Sequence, residues 1–294
     1  MRRLLSKCAM LVALAGFMIS TPAIAEIVEC EGVSEVVQHA SRFGADKETL
    51  VIFDINSVSI IPSDPLFHFP AYTDKQKAIY NQCFIESLAD RGLFLRDPGE
   101  DNYYIYLAVW KLIKKSGTRC VNEGISALNR DFCKKKIPTI FISESFDGRP
   151  LSGKGDPEIA RWFWKNLKKK GYQTHIPGGT KDGSTRYLEI LEEKLPYENL
   201  MPCVVDEAVF STNRIKKSVC VKAFLNEKKL KIRRVLLIDD SREALEDFAK
   251  FCDQEKIGFL GIHYTEGLLH TYTLSNGKFR SAWMALFQNI RFPE

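Results

Sequence analysis

The sequence predicts an α/β fold in which a Rossmann-like parallel sheet is flanked by helices on both faces. Short apolar runs alternate along the chain with helical patterns of about 10–15 residues, the order expected when parallel strands are joined by crossover helices. Three of these runs end at a polar side chain, at Asp54, Ser143 and Asp239. Because ligands bind at the carboxyl ends of the strands in such sheets, these positions are the first candidates for a functional site.

The predicted strands are short and rich in β-branched residues, as in a sheet that is buried on both faces. They occupy residues 51–53, 137–143, 235–239 and 257–264, with shorter strand-like pieces within 202–211.

Helices are predicted from apolar periodicity and from residues that start and stop helices. The pattern over residues 156–171 has Asp156 as the N-cap, Pro157 at the first position and Gly171 as the stop. Over residues 242–256 the apolar side chains fall on one helix face. Further helical patterns cover residues 74–92, 101–115 and 216–230.

The first 25 residues are predicted to be a secretory signal peptide. Arg2, Arg3 and Lys7 form a positively charged start, residues 8–19 form an apolar run, and residues 23–25 form a small-x-small cleavage site. An uncleaved anchor is the alternative, but a membrane span needs about 20 apolar residues and this run is shorter. We therefore expect an exported protein, periplasmic or extracellular, with no integral membrane segment after cleavage.

Net charge and cysteine content limit the classes of partner and the cellular compartments that fit this sequence. The formal net charge of +5 falls to +2 when the three basic residues of the predicted signal peptide are removed, so no nucleic-acid partner is expected. Seven of the eight cysteines remain, an odd number, and some can pair in an oxidising compartment. Cys120 and Cys133 flank one helix-length segment and are the expected local pair.

The order of the polar strand ends resembles the haloacid dehalogenase (HAD) superfamily, which is mostly phosphatases. The resemblance rests on "DINSV" from Asp54, "IFIS" ending at Ser143, Lys217 opening "KSVCVKAFL", and "VLLIDDSREAL" from Val235. It covers about residues 45–270. The predicted signal peptide and the ending "IGFLGIHYTE" also look like an uncharacterised family of exported bacterial HAD-like proteins.

The resemblance implies a division of the chain. Residues 26–59 and 137–294 would form the HAD-like core, and residues 60–136, which read as mostly helical, would form the inserted cap. The insertion opens with a proline-punctuated stretch, residues 59–70, that cannot be one regular element. The resemblance implies that the partner is a small phosphorylated substrate or anion. The cap of such a protein sets which substrate binds, and this cap carries no motif that identifies it.

The resemblance also implies a phosphatase or phosphotransferase that works through an aspartyl-phosphate. Asp54 would attack phosphorus as the nucleophile. Ser143 would hydrogen-bond a phosphoryl oxygen, and Lys217 would neutralise the nucleophile and the developing charge, with Lys216 as an adjacent alternative.

The implied cofactor is Mg²⁺, which prefers oxygen ligands. Asp54, the backbone carbonyl of Asn56 and Asp239 would supply three of them, with Asp240 close behind.

Asn56 departs from the superfamily pattern, in which a carboxylate at this position protonates the leaving group and then activates water. An amide cannot exchange a proton near neutral pH, and general acid–base catalysis is worth about 10²–10⁴-fold. A second departure is Glu144, an acidic residue beside a site for a dianion. The prediction is therefore an impaired phosphatase, and the alternative is an inactive HAD-like pseudoenzyme that acts as a binding protein.

Each candidate residue also has a purely structural interpretation. Asp54 could cap a turn, and Asp239-Asp240-Ser241 could be only an N-cap cluster for the next helix. Ser143 alone could be structural, and Lys217 alone could be a surface lysine. Their joint order along a strand–helix chain is what favours a site.

Overall fold

The computed structural model describes most of the predicted core and part of the predicted cap. The predicted signal peptide lies outside the described residues apart from Ala25, and so does most of the helical pattern over 101–115. The described ranges are 25–68, 72–90, 112–144, 158–179, 183–190, 201–212, 215–269 and 274–289.

An eight-stranded, mostly parallel sheet forms the centre of the protein. Its strands are β1 (Ala25–Cys30), β2 (Thr49–Asp54), β5 (Thr139–Ser143), β6 (Thr185–Tyr187), β7 (Cys203–Val205), β8 (Val209–Ser211), β9 (Arg234–Asp239) and β10 (Gly258–Tyr264). Their order is β1-β10-β9-β2-β5-β8-β7-β6, and only the pairings of β7 with its two neighbours are antiparallel. The remaining strands, β3 (Ile60–Pro62) and β4 (Thr118–Cys120), form a separate antiparallel pair.

Helices cover both faces of this sheet, which confirms the predicted fold class. The α-helices of the described residues are α1 (Val33–Phe43), α2 (Asp74–Ala89), α3 (Glu123–Lys134), α4 (Glu158–Lys169), α5 (Lys217–Lys228), α6 (Arg242–Gln254) and α7 (Asn276–Asn289). Buried side chains of α1, α3 and α4 form one apolar cluster with the sheet, and those of α5 and α6 form another.

Strand β2 shows why the central strands are mostly apolar. Every residue of β2 is buried. Phe53 faces the α3 side, where its ring lies 6.4 Å from that of Phe132 and 5.6 Å from that of Phe141. Ile52 faces the α5 side. A strand packed against helices on both faces has no solvent-facing positions for polar residues.

A third apolar cluster lies outside the sheet core, between α2 and α7. We call it the aromatic cluster, and its buried members are Leu66, Phe67, Tyr72, Cys83, Phe84, Phe279, Trp283 and Phe287. Helix α7 is not among the predicted helices, although Phe279, Trp283 and Phe287 recur every four residues, the spacing of one helix face. Its residues fall within the predicted core segment, 137–294, and in the structure they pack against α2.

Helix α3 belongs to the sheet core by its contacts, although it lies within the predicted insertion. Ile125, Leu128 and Phe132 are buried in the same cluster as β2 and β5. The limits of the cap remain a prediction.

No disulfide bond links the cysteines of the described residues. The expected bond between Cys120 and Cys133 is absent: Cys120 lies in β4, before α3, and Cys133 lies in the last turn of α3. Within the described part of the chain, no helix is both long and apolar enough to cross a membrane.

Candidate functional site

The two strands that end in aspartate are neighbours in the sheet. β2 and β9 run parallel, and Phe53 pairs with Ile238, so both strands reach the same sheet edge one residue later. Asp54 and Asp239 are the residues at those ends, and both side chains are buried. The sequence brings them together because each follows an apolar strand of the same length.

Lys217 joins the two carboxylates. It is the first residue of α5 and is buried, and its Nζ atom lies 2.6 Å from Oδ1 of Asp54 and 2.7 Å from Oδ2 of Asp239. The neighbouring Lys216 is exposed and instead pairs with Asp247 at 3.2 Å. Of the two lysines that the sequence left open, Lys217 is therefore the one at this site.

Asp240 adds a third carboxylate. Oxygen atoms of Asp54, Asp239 and Asp240 all lie within 4.8 Å of one another, and we call these three residues the acidic cluster. When all are ionised, Lys217 balances only one of the three charges. An oxygen-only donor set with two uncompensated negative charges fits a hard divalent cation, so the cluster could hold a metal ion.

The charges in this cluster perturb one another strongly. Burial raises the pKa of Asp54 well above its usual value, and Lys217 opposes that rise. Burial, together with the charge of Asp239, raises the pKa of Asp240 to about 6. Burial by itself would lower the pKa of Lys217, but Asp239 and Asp54 outweigh it and raise that pKa. Lys217 therefore remains a cation, while the carboxyl groups of Asp54 and Asp240 retain protons to a higher pH than usual.

Asn56 and Ser143 form the second polar pair of the site. The Asn56 side chain is exposed, and its Nδ2 atom donates a hydrogen bond of 2.9 Å to Oγ of the buried Ser143. β5 lies beside β2, so Ser143 and Asp54 end neighbouring strands. Glu144, the next residue, is exposed and close enough to Lys217 to help raise its pKa.

The turn after Asp54 is fastened by its own side chains. Ser59 donates from Oγ to the backbone carbonyl of Asp54 at 2.7 Å, and the backbone N–H of Ile60 donates to the carbonyl of Ile55 at 2.9 Å. Tyr172 donates from its hydroxyl to the carbonyl of Ser59 at 2.9 Å. This fixes the position of Asp54 and gives Ser59 a structural role.

Ser241 combines a capping role with contact to the site. Its Oγ atom accepts from the backbone N–H of Ala244 at 3.2 Å, so it is the N-cap of α6. Its own N–H donates to Oδ1 of Asp239 at 2.9 Å. The N-cap interpretation is thus right for Ser241, and it leaves the other oxygen of Asp239 for Lys217.

Two histidines lie near the polar residues around the acidic cluster. His263 donates from Nε2 to the backbone carbonyl of Asp240 at 3.0 Å, and its Nδ1 contacts Glu29. His68 is buried and lies 3.1 Å from Oγ of Ser57. Neither histidine shows a metal-ligand spacing in the sequence, so no local signal distinguishes them.

The fold and the site together define an α/β protein with an acidic cluster at the carboxyl edge of a parallel sheet. Residues 195–283 match the model of a family described as Protein of unknown function (DUF2608). The matched range includes Lys217, Asp239 and Asp240, and it begins after Asp54 and Ser143. No curated protein and no solved structure matches the chain.

Proposed function

We propose that the protein is an exported, HAD-type phosphatase or phosphotransferase that forms an aspartyl-phosphate on Asp54. The observation that carries the proposal is the buried Lys217, whose ammonium contacts both Asp54 and Asp239 at the ends of adjacent strands. A lysine held in this way keeps a carboxylate nucleophile close to a fixed positive charge. Phosphoryl transfer depends mainly on such positioning and charge neutralisation.

Asp54, Asp239, Asp240 and the backbone carbonyl of Asn56 would hold the cation, which we propose is Mg²⁺. The carboxylate oxygens and their uncompensated charge suit it. When bound, Mg²⁺ would supply additional positive charge to the phosphoryl oxygens.

The chain's own residues would carry out the transfer. An oxygen of Asp54 forms a bond to phosphorus while the bond between phosphorus and the leaving oxygen breaks. Lys217 stabilises the charge of the transferring group, and Ser143 donates a hydrogen bond to one of its oxygens. Water then attacks the aspartyl-phosphate and releases phosphate.

Asn56 makes both half-reactions slow. Its amide cannot protonate the leaving oxygen, which therefore takes its proton from water, and it cannot accept a proton from the attacking water. Activated leaving groups need little protonation, so aryl phosphates should be better substrates than alkyl phosphates.

A binding protein without catalysis is the second candidate. It is favoured by the hydrogen bond that ties Asn56 to Ser143 and by the negative charge of Glu144 near Lys217. Both features would lower the affinity of the site for a phosphoryl dianion.

The deciding experiment is phosphate release from 4-nitrophenyl phosphate by the mature protein, with and without Mg²⁺. We expect slow release that requires Mg²⁺ and is lost in Asp54→Asn, together with a phosphorylated species in the intact mass of the wild type only. Absence of release and of phosphorylation in a folded wild type that binds Mg²⁺ would favour the binding protein.

Export has a separate test, since it does not depend on the chemistry. The mature N-terminus should be Glu26, and the mass of the protein from a periplasmic or culture fraction should lack residues 1–25. The structure is compatible with this cut because β1 begins at Ala25, so cleavage would remove one strand residue. Recovery of intact Met1 in soluble cytosol would contradict export.

A further inference from the structure

Asp240 is tied to the neighbouring strand through its backbone. The Nε2 atom of His263, in β10, lies 3.0 Å from the carbonyl oxygen of Asp240. A carbonyl oxygen can only accept, so Nε2 carries the proton of this hydrogen bond. The other ring nitrogen, Nδ1, contacts the carboxylate of Glu29 in β1. Both nitrogens of the imidazole are thus engaged, which fixes the orientation of the ring.

The register of the sheet places these residues side by side. Glu29 pairs with His263 across β1 and β10, and His263 pairs with Asp239 across β10 and β9. Side chains at the same level of neighbouring parallel strands project from the same face of the sheet. His263 therefore stands beside the end of β9, where the chain leaves the strand and reaches Asp240.

The peptide group that follows Asp240 is held at both of its polar atoms. Its carbonyl oxygen accepts from His263, and its N–H, which belongs to Ser241, donates to Oδ1 of Asp239 at 2.9 Å. A planar peptide group that is bonded at both ends has little freedom to rotate. Since this rotation sets the direction of the Asp240 side chain, His263 controls one of the two contacts that aim the third carboxylate.

Glu29 connects His263 to the first turn of α6. Its Oε1 atom accepts from Nη1 of Arg242 at 2.5 Å, while its Oε2 atom faces His263. The side chains of Glu29 and Arg242 are 58% and 50% exposed, so their ion pair contributes little stability. The contact matters more for the direction it gives His263, whose side chain is only 17% exposed.

We propose that His263 is a positioning residue for the cation site: it fixes the direction in which Asp240 presents its carboxylate. The inference rests on the proposed cation site of the acidic cluster and concerns how this chain prepares it. Oxygens of Asp54, Asp239 and Asp240 lie within 4.8 Å of one another, and rotation of the peptide after Asp240 would move one of them away from a shared ion.

The test is calorimetric titration of the mature protein with Mn²⁺ as the probe, which reports affinity without any catalytic activity. Loss of an outer-shell partner of a metal ligand costs about 10–100-fold in metal affinity. We expect His263→Leu to weaken Mn²⁺ binding by about tenfold, the low end of this range, because the lost bond is to the backbone. In an Asp240→Asn background, His263→Leu should cause no further loss, because His263 acts through Asp240.

Two amide variants separate the bond to Asp240 from the bond to Glu29. His263→Gln should retain most of the affinity, since its amide can place an N–H near the position of Nε2. His263→Asn should not, since its shorter amide lies nearer to the position of Nδ1.

His39→Leu is the matched control and should leave Mn²⁺ affinity unchanged. His39 lies on α1, whose buried side chains belong to the apolar cluster on the opposite face of the sheet from α6. Near-ultraviolet circular dichroism establishes that each variant is folded, and urea unfolding measures its stability. If His263→Leu does not fold, the comparison of His263→Gln with His263→Asn decides the question.

Three results would overturn the inference. Wild-type affinity in folded His263→Leu, whatever its stability, would show that the residue does not position Asp240. An equal further loss in the Asp240→Asn background would show that His263 acts elsewhere in the site. Failure of the wild type itself to bind Mn²⁺ would overturn the proposed cation site as well, whereas the first two results leave that site standing.

Discussion

The acidic cluster and the aromatic cluster are built in opposite ways. The acidic cluster consists of charged groups brought to one point by two neighbouring strands, and one lysine from α5 compensates part of their charge. The aromatic cluster consists mainly of rings packed between two helices that are far apart in the chain, several of them edge to face, as where Tyr80 lies 4.7 Å from Trp283. The first concentrates like charges at one point, whereas the second buries apolar side chains and so contributes to stability.

Because of this difference, a substitution in each cluster should change a different property of the protein. Removing a charge from the acidic cluster alters binding and proton transfer, and it can relieve repulsion between carboxylates. Removing a ring from the aromatic cluster leaves a cavity and should alter only stability.

The largest expected effect is on turnover. Asn56→Asp introduces the acid–base group that the site lacks, and we expect phosphate release to rise by up to about 10²–10⁴-fold if proton transfer is the only defect. The measurement is the rate on 4-nitrophenyl phosphate with Mg²⁺. Asn226→Asp, an exposed change of the same kind on α5, is the control. A folded Asn56→Asp protein that binds Mg²⁺ and hydrolyses no phosphate ester would make the binding protein the better account.

The next effect is on stability at the acidic cluster. Lys217→Met removes the ammonium that compensates two buried carboxylates, and breaking a buried ion pair costs about 3–5 kcal/mol. Urea unfolding without metal should show this loss, and Mg²⁺ should restore part of it because the cation replaces the lost charge. Lys216→Met should change the free energy of unfolding by less than about 0.5 kcal/mol, as at other exposed positions. Equal losses in the two variants would mean that Lys217 does not compensate the cluster.

The two regions also differ in how far the sequence predicts them. The placement of Asp54 and Asp239 in a shared site can be predicted from the sequence, because each stands at the end of a buried strand and parallel strand ends meet at one sheet edge. The contact between Ser57 and His68 cannot be predicted in this way, since it depends on a positive φ angle at Ser57 and on where the chain goes after β3. The packing of α7 against α2 is equally hidden: Cys83 and Arg280 are in contact across almost 200 residues of chain.

Trp283→Ala tests whether the aromatic cluster is mainly structural. Trp283 is fully buried, and truncating a buried aromatic residue costs about 3–5 kcal/mol. We expect a lower midpoint of urea unfolding and unchanged Mg²⁺-dependent phosphate release under conditions where the protein is folded. Ile85→Ala, at a residue of α2 that is 54% exposed, should have a much smaller effect. Loss of Mg²⁺-dependent phosphate release in folded Trp283→Ala would show that the aromatic cluster and the acidic cluster are coupled.

The smallest expected effect is on the pH dependence of the free energy of unfolding. This effect reports on the acidic cluster alone. The folded state raises the pKa of Asp240 to about 6, through burial and the charge of Asp239. Between the ordinary aspartate pKa and this value, the folded state binds more protons than the unfolded state, so the free energy of unfolding contributed by this group falls as pH rises. Asp240 is only partly buried, and solvent screening keeps the effect modest. Without metal, the stability of the wild type relative to Asp240→Asn should therefore decrease from about pH 4 to about pH 6 and then level off.

Saturating Mg²⁺ should remove the decrease, because the cation stabilises the ionised carboxylate in the folded state. A difference that instead grows with pH in the absence of metal would show that Lys217, and not burial, sets the charge of Asp240.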